Sequence, residues 1–251
     1  MPATGVEFLP LADWVTMFMA VLARLSPVIF LMPGIGEEAI PARVRLALLI
    51  SLSLTISSMG VVDPISMSAG PGYIELLFGE LLIGFVFGVS LRAMLWILNS
   101  VGAIVAQSIG LAQFLGVALQ TEAQTITANL LSIAGAALLL TANFHVAVFA
   151  NIMKIFKSVP AHSLQNADID FIIRALFDAF NFAITLSWPF VLASLIYNIC
   201  LGFINKAMPQ MMVAFVGAPF MVGAGLILLT VSALSLFFVW LDRAPAIMGL
   251  G

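Results

Sequence analysis

The sequence predicts an all-helical, polytopic membrane protein, and three observations carry that prediction. Only 8% of residues are charged against 63% hydrophobic, whereas a soluble chain of this length needs about a quarter charged to clothe its surface. The charges are also segregated. No Asp, Glu, Lys or Arg occurs in residues 93–121, 123–153, 179–205 or 207–241. Finally, the apolar runs do not alternate with polar residues as the strands of an outer-membrane barrel do. Residues 134–140 and 226–229 are apolar on every face.

A helical crossing takes roughly 20 apolar residues. About six stretches approach that length: 11–32, 46–62, 74–98, 126–150, 179–204 and 211–241. No separate soluble domain is expected, so residues 1–251 read as one integral membrane domain. A net charge of −3 gives no basic footprint for nucleic acid. Met1 to Leu11 carries Glu7 and no basic residue, so a cleaved leader is not expected. Cys200 is alone, which excludes an intrachain disulfide.

Taken in order, Asp13 suits the first turn of a helix over 15–30. Pro33, Gly34 and Gly36 break it. A short loop with Glu37, Glu38, Arg43 and Arg45 leads to a second helix that ends near Gly60. Residues 61–72, with Asp63, Pro64, Gly70, Pro71 and Gly72, read as an irregular loop, and a third helix runs from Tyr73 to about Asn99. Residues 126–150 read as one helix, and 151–178 as a hydrophilic connection holding Lys154, Lys157, Asp168, Asp170, Arg174 and Asp178. Two further apolar stretches follow, disturbed at Pro189 and at Gly217, Pro219, Gly223 and Gly225, and separated by a break at 205–210. Arg43 and Arg45 favour a cytoplasmic first loop.

Residues 101–127 differ from the rest. They are uncharged but for Glu122, yet carry Gln107, Ser108, Gly110, Gln113, Gly116, Gln120 and Gln124. That is too polar for lipid and too apolar for a solvent loop. Polar groups at membrane depth are tolerated where they line a cavity or meet protein.

Little supports catalysis. His145 and His162 have no metal-ligand spacing, and no G-x-S-x-G or phosphate-binding glycine loop occurs. No enzyme activity, cofactor or metal is expected. Arg24, Glu80, Arg92 and Lys206 sit in or beside apolar runs, where a charge persists if it is paired, snorkels or faces a polar interior. They serve either a transport path or structural ion pairs across helices. Gly84 and Gly88 form the G-x-x-x-G spacing of closely packed helices.

Two motifs carry a family resemblance. Arg24-Leu-Ser-Pro-Val-Ile-Phe-Leu-Met-Pro33 followed by Ile40-Pro41-Ala42-Arg43-Val44-Arg45 resembles the opening of the FliR family of flagellar export-gate proteins, which has relatives in injectisomes. Gly202-Phe-Ile-Asn-Lys206-Ala-Met-Pro209-Gln210 is similar to a second family stretch, with Lys206 where arginine is usual.

The resemblance implies a subunit that looks like a fused FliP–FliQ unit. It would assemble with several copies of FliP and FliQ, beside FlhB and FlhA, in the inner membrane at the flagellar basal body. Unfolded export substrates would pass through the shared channel. The family's plug falls on residues 101–127 here, so the resemblance points to Gln107, Gly110, Gln113, Phe114, Leu115 and Gly116 as the gate. Phe114 and Leu115 would close it, and Gly110 and Gly116 would flex. The alternative is a self-contained secondary transporter, with broken helices at Pro189, Pro209 and Pro219 and with Arg24, Glu80 and Arg92 as its transport charges.

Overall fold

A computed structural model describes residues 11–37, 39–59, 72–110, 123–158, 169–208 and 213–247. Every regular element among them is a helix: α1 Leu11–Leu31, α2 Ala42–Ser58, α3 Tyr73–Ser108, α4 Ala123–Thr141, α5 Phe144–Ser158, α6 Ile169–Ala207 and α7 Val213–Ile247. The all-helical expectation is borne out. Among the described residues, four helices are long and apolar enough to cross a membrane, at Leu11–Leu31, Tyr73–Ser108, Ile173–Ala207 and Gly217–Ala246. A fifth candidate is the bent pair α4–α5. The expected stretch 46–62 is covered as far as Ser58 by α2, which is not among these candidate spans.

The breaks fall elsewhere than the prolines suggest. Pro189 lies inside continuous α6 and Pro219 inside continuous α7; Pro209 lies outside the described residues. Pro27 sits inside α1 and shows how such a residue is accommodated. A proline leaves the carbonyl four residues earlier without its amide donor. Here the Ser26 hydroxyl donates to that carbonyl, Ala23 O, at 3.1 Å. The real interruption comes at Ala142–Asn143, in the middle of the expected 126–150 helix. Asn143 adopts φ 56°, and its carbonyl accepts the Val146 amide at 3.0 Å, opening α5. Asparagine tolerates this left-handed conformation better than most residues. Within the expected hydrophilic connection over 151–178, α5 reaches Ser158 and α6 begins at Ile169.

The chain forms two compact units. The first contains Met1–Arg92 and Asn143–Ile173. In it, α1 buries a stripe at helical spacing, Met17, Ala20, Val21, Arg24, Leu25 and Val28. α2 adds Leu49 and Ile56, α3 adds Leu76 and Ile83, and α5 adds Val148, Ile152 and Phe156. The G-x-x-x-G pair marks the crossing of α1 and α3. A Cβ on Gly84 would overlap the Arg24 carbonyl, and one on Gly88 would lie 2.8 Å from the Pro27 carbonyl.

The second unit contains Ala93–Ala142 and Arg174–Gly251. Its core is built by Leu98, Val101 and Val105 of α3, Leu131 and Leu139 of α4, Phe190 of α6 and Trp240 of α7. The Trp240 indole donates to the Met94 carbonyl at 3.0 Å and is fully buried. Gly102 lets α4 approach, since a Cβ there would come within 2.5 Å of Ala128 Cα.

Glycine substitutions separate close approach from mere helix punctuation. Gly84→Ala drives a methyl into the Arg24 carbonyl, and we expect a loss of about 1–3 kcal/mol, the usual cost of overpacking. Gly202 has open space where its Cβ would be, so Gly202→Ala is expected to leave stability unchanged or raise it by up to about 1 kcal/mol. Thermal unfolding of the two variants in detergent checks the contrast; equal melting temperatures would refute it.

Candidate functional site

The segment that joins α3 to α4 leaves one well-defined stem and enters another. α3 runs past the expected end near Asn99 to Ser108, so the first third of the 101–127 stretch is helical wall. Its last turn is closed by the Ile109 amide on the Val105 carbonyl at 3.0 Å and by the Gly110 amide on the Gln107 carbonyl at 3.2 Å. Gly110 has φ 73°, the left-handed conformation that ends many helices and that glycine adopts without cost. The side chain of Ile109 is buried against Gly225 of α7, where a Cβ would meet it. On the other side, Thr127 and Ala128 of α4 lie against Gly102. Both ends of the segment are therefore anchored in packed helix.

The candidate gate residues distribute accordingly. Gln107 is exposed on the last turn of α3, and Gly110 is the turning point just beyond it. Gln113, Phe114, Leu115 and Gly116 lie outside the described residues.

The motif residues near the N-terminus resolve into a connected structure. Arg24, 4% exposed, meets Glu80, 2% exposed, in a two-point contact: Nε donates to Oε2 at 2.5 Å and Nη2 to Oε1 at 3.0 Å. The Phe156 ring lies over the guanidinium, 4.7 Å from its carbon to the ring centroid, a cation–π geometry. Leu25, Val28, Ile83, Phe87, Ile152 and Ile155 line a small cavity beside Arg24.

Downstream, Pro33 is buried and Gly34 turns the chain at φ 85°. The Gly36 amide donates to the Met32 carbonyl at 2.7 Å, and a Cβ on Gly36 would strike the Phe30 carbonyl. Arg45 reaches back to this turn. Its Nη1 donates to Gly36 O at 3.4 Å and its guanidinium lies 5.2 Å from the Phe30 centroid. Pro41 is the N-cap of α2, Arg43 is exposed, and Lys206 is exposed in the last turn of α6. Gln210 and Pro209 lie outside the described residues.

Arg92 is bound by Glu37 at 2.5 Å in a partly exposed pair. A long range in sequence separates the two, so nothing local could have matched them. The charges invoked for the transporter alternative are thus engaged in structural pairs, and two of its three proposed breaks are continuous helix. Among the described residues no cluster of His, Cys, Asp and Glu could hold a metal ion.

This pattern of buried motif, anchored segment and long apolar helices agrees with the sequence comparisons. The sequence matches the family described as bacterial export proteins, family 1, over residues 15–245. The chain belongs to that family. Among its relatives, the flagellar biosynthetic protein FliR of Caulobacter vibrioides is 32% identical over 230 residues, covering 89% of this chain and 90% of that protein. FliR of Aquifex aeolicus is 27% identical, covering 83% and 82%. The surface presentation of antigens protein SpaR of Shigella flexneri is 23% identical, covering 76% and 75%. The FliR resemblance of the opening motif is therefore borne out along the whole chain. In this member of the family the motif builds the α1–α2–α3 junction.

The two ion pairs of that junction differ in worth. Removing one partner from a buried pair strands a charge, so Glu80→Ala is expected to cost about 3–5 kcal/mol. The Arg92–Glu37 pair is partly solvated, and Arg92→Ala is expected to cost at most about 1 kcal/mol. Chemical unfolding of both variants decides this ordering, and a reversed ranking would show that Arg24 does not depend on Glu80.

Proposed function

We propose that this chain is a membrane subunit of a bacterial type III protein-export gate, of the flagellar kind. In this reading it assembles with several copies of FliP and FliQ, in contact with FlhB and FlhA. Together they pass unfolded flagellar proteins across the inner membrane. It performs no catalysis of its own. The family match over residues 15–245 carries the export reading. The flagellar assignment is favoured because FliR of Caulobacter vibrioides, at 32%, is more similar than the injectisome relative SpaR, at 23%.

Two structural features support assembly and gating. α6 and α7 are almost bare, with Phe203 72% and Val231 76% exposed, although both are apolar through most of their length. Helices of this kind require covering by lipid or by other subunits. The segment between α3 and α4 is held at both stems and turns at Gly110. Stems anchored in packed helix on both sides suit a plug that moves without unseating the helices around it.

Deletion of residues 111–120 tests the gate while sparing the Ile109 anchor. The expected result is a particle of unchanged native mass, containing the smaller membrane subunits, that leaks ions when reconstituted. An intact particle with unchanged conductance would remove the plug assignment. A chain extracted gently as a partner-free monomer would remove the assembly reading as well.

A further inference from the structure

α5 divides sharply by face. Phe144, Val148, Ile152 and Phe156 recur at every fourth residue and are buried. Phe156 covers the Arg24 guanidinium, and Ile152 and Ile155 line the cavity beside it. Val146, Ala147, Ala150, Lys154 and Lys157 are exposed. At about 100° per residue these five fall on one side, opposite the buried stripe.

Their order along that side is informative. The first three are apolar and the last two are basic, over a length of roughly 16 Å. α5 contains no Asp or Glu. Glu80, the carboxylate beside its seat, is engaged by Arg24. Neither lysine forms an ion pair with any described residue. The face therefore presents an apolar strip that ends in two ammonium groups without an ion-pair partner among the described residues, three residues apart and thus neighbours on the helix surface.

We propose that this face binds an anionic phospholipid. The acyl chain lies along Val146, Ala147 and Ala150, and the headgroup phosphate is held by Lys154 and Lys157. The sequence of polarity, hydrocarbon and then anion, is that of a lipid monolayer read from its tails to its headgroups. Lysine suits the site as a point-charge donor to phosphate, and its stem can run along apolar surface while the ammonium reaches the headgroup level. An acidic peptide would satisfy the lysines but would leave the apolar strip without an occupant. The opposite face of α5, seated on the Arg24–Glu80 pair, presents this surface already formed.

The test compares the protein, extracted in mild detergent, with its Lys154→Gln/Lys157→Gln variant. Phosphatidylglycerol and phosphatidylcholine of identical chains are added, and bound lipid is counted by native mass spectrometry. The wild type is expected to retain phosphatidylglycerol in preference to phosphatidylcholine. The double variant should lose that preference by roughly tenfold, since each lysine near an anionic lipid surface contributes attraction. Lys154→Arg/Lys157→Arg should keep it. If the Gln variant does not fold, Ala150→Glu serves instead, and should repel phosphatidylglycerol while leaving phosphatidylcholine unchanged. Equal retention of both lipids by the wild type overturns the proposal, as does undiminished retention of phosphatidylglycerol by the variant that folds. Complete displacement by inorganic phosphate at matched concentration overturns the acyl contact. An amine-reactive crosslinker that joins Lys154 to a protein neighbour in native membranes overturns the lipid assignment in favour of a subunit interface.

Discussion

The buried contact between Arg24 and Glu80 organises the first unit. Each charge stands within an apolar helix, and neither would be tolerated there alone. Together they form a two-point contact in which the planar guanidinium fork matches the carboxylate. Its geometry requires α1 and α3 to meet at one register, and the backbone can come that close only because position 84 is glycine. α5 then closes the arrangement by laying Phe156 over the guanidinium. A hydrophobic replacement of similar shape would hold these helices together at least as well. What the ion pair adds is discrimination, because a one-turn slip of α1 along α3 would leave two buried charges unmatched.

The second unit is assembled by a different device. It has no buried ion pair among the described residues, and its close contacts depend on small side chains and one indole. Gly102 admits α4, Gly135 makes room for Leu98 and Trp240, and Gly225 receives Ile109. Trp240 adds the polar element by donating to Met94 O, an oxygen already inside the α3 hydrogen-bond ladder. The contact with Ile109 has a consequence for the segment that follows. Ile109 holds the last turn of α3 in place just before Gly110, so the segment leaves the helix from a fixed point.

Much of this was legible in the sequence, and the failures have a common cause. The all-helical membrane class followed from charge depletion, and Gly84 and Gly88 announced a helix crossing by their spacing. The partners of Arg24 and Arg92 were not legible, because they lie 56 and 55 positions away. The helix breaks were misplaced because proline was weighed as it behaves in an isolated helix. Inside a protein the lost bond is replaced locally, as Ser26 does for Pro27, and the rest of the ladder has no water to turn to. The extension of α3 through Gly102, Gln107 and Ser108 was missed for a related reason. Gly102 is small to admit α4, and the Ser108 hydroxyl bonds its own backbone at Ile104, so neither residue interrupts the helix. Asn143, which does end one, carries no signal stronger than its tolerance for a positive φ. In the gate stretch, the stems at Gln107 and Gly110 are defined, whereas Phe114 and Leu115 rest on the family resemblance alone.

The lengths of α6 and α7 bear on what must surround them. Their 39 and 35 residues extend about 58 and 52 Å at 1.5 Å per residue, against a hydrocarbon core of about 30 Å. Tilt shortens the projected length, but even 40° leaves roughly 40 Å or more. Exposed large apolar residues on α6 run from Ile173 to Ile204, and on α7 from Phe220 to Val239. On α6 that series alone outreaches the hydrocarbon. Lipid cannot cover all of it, and water would leave it as an aggregation surface. Another protein surface would cover the part that lies beyond the hydrocarbon. The excess length of an apolar helix is thus a physical reason, independent of any family name, that supports the proposed role as one subunit among several.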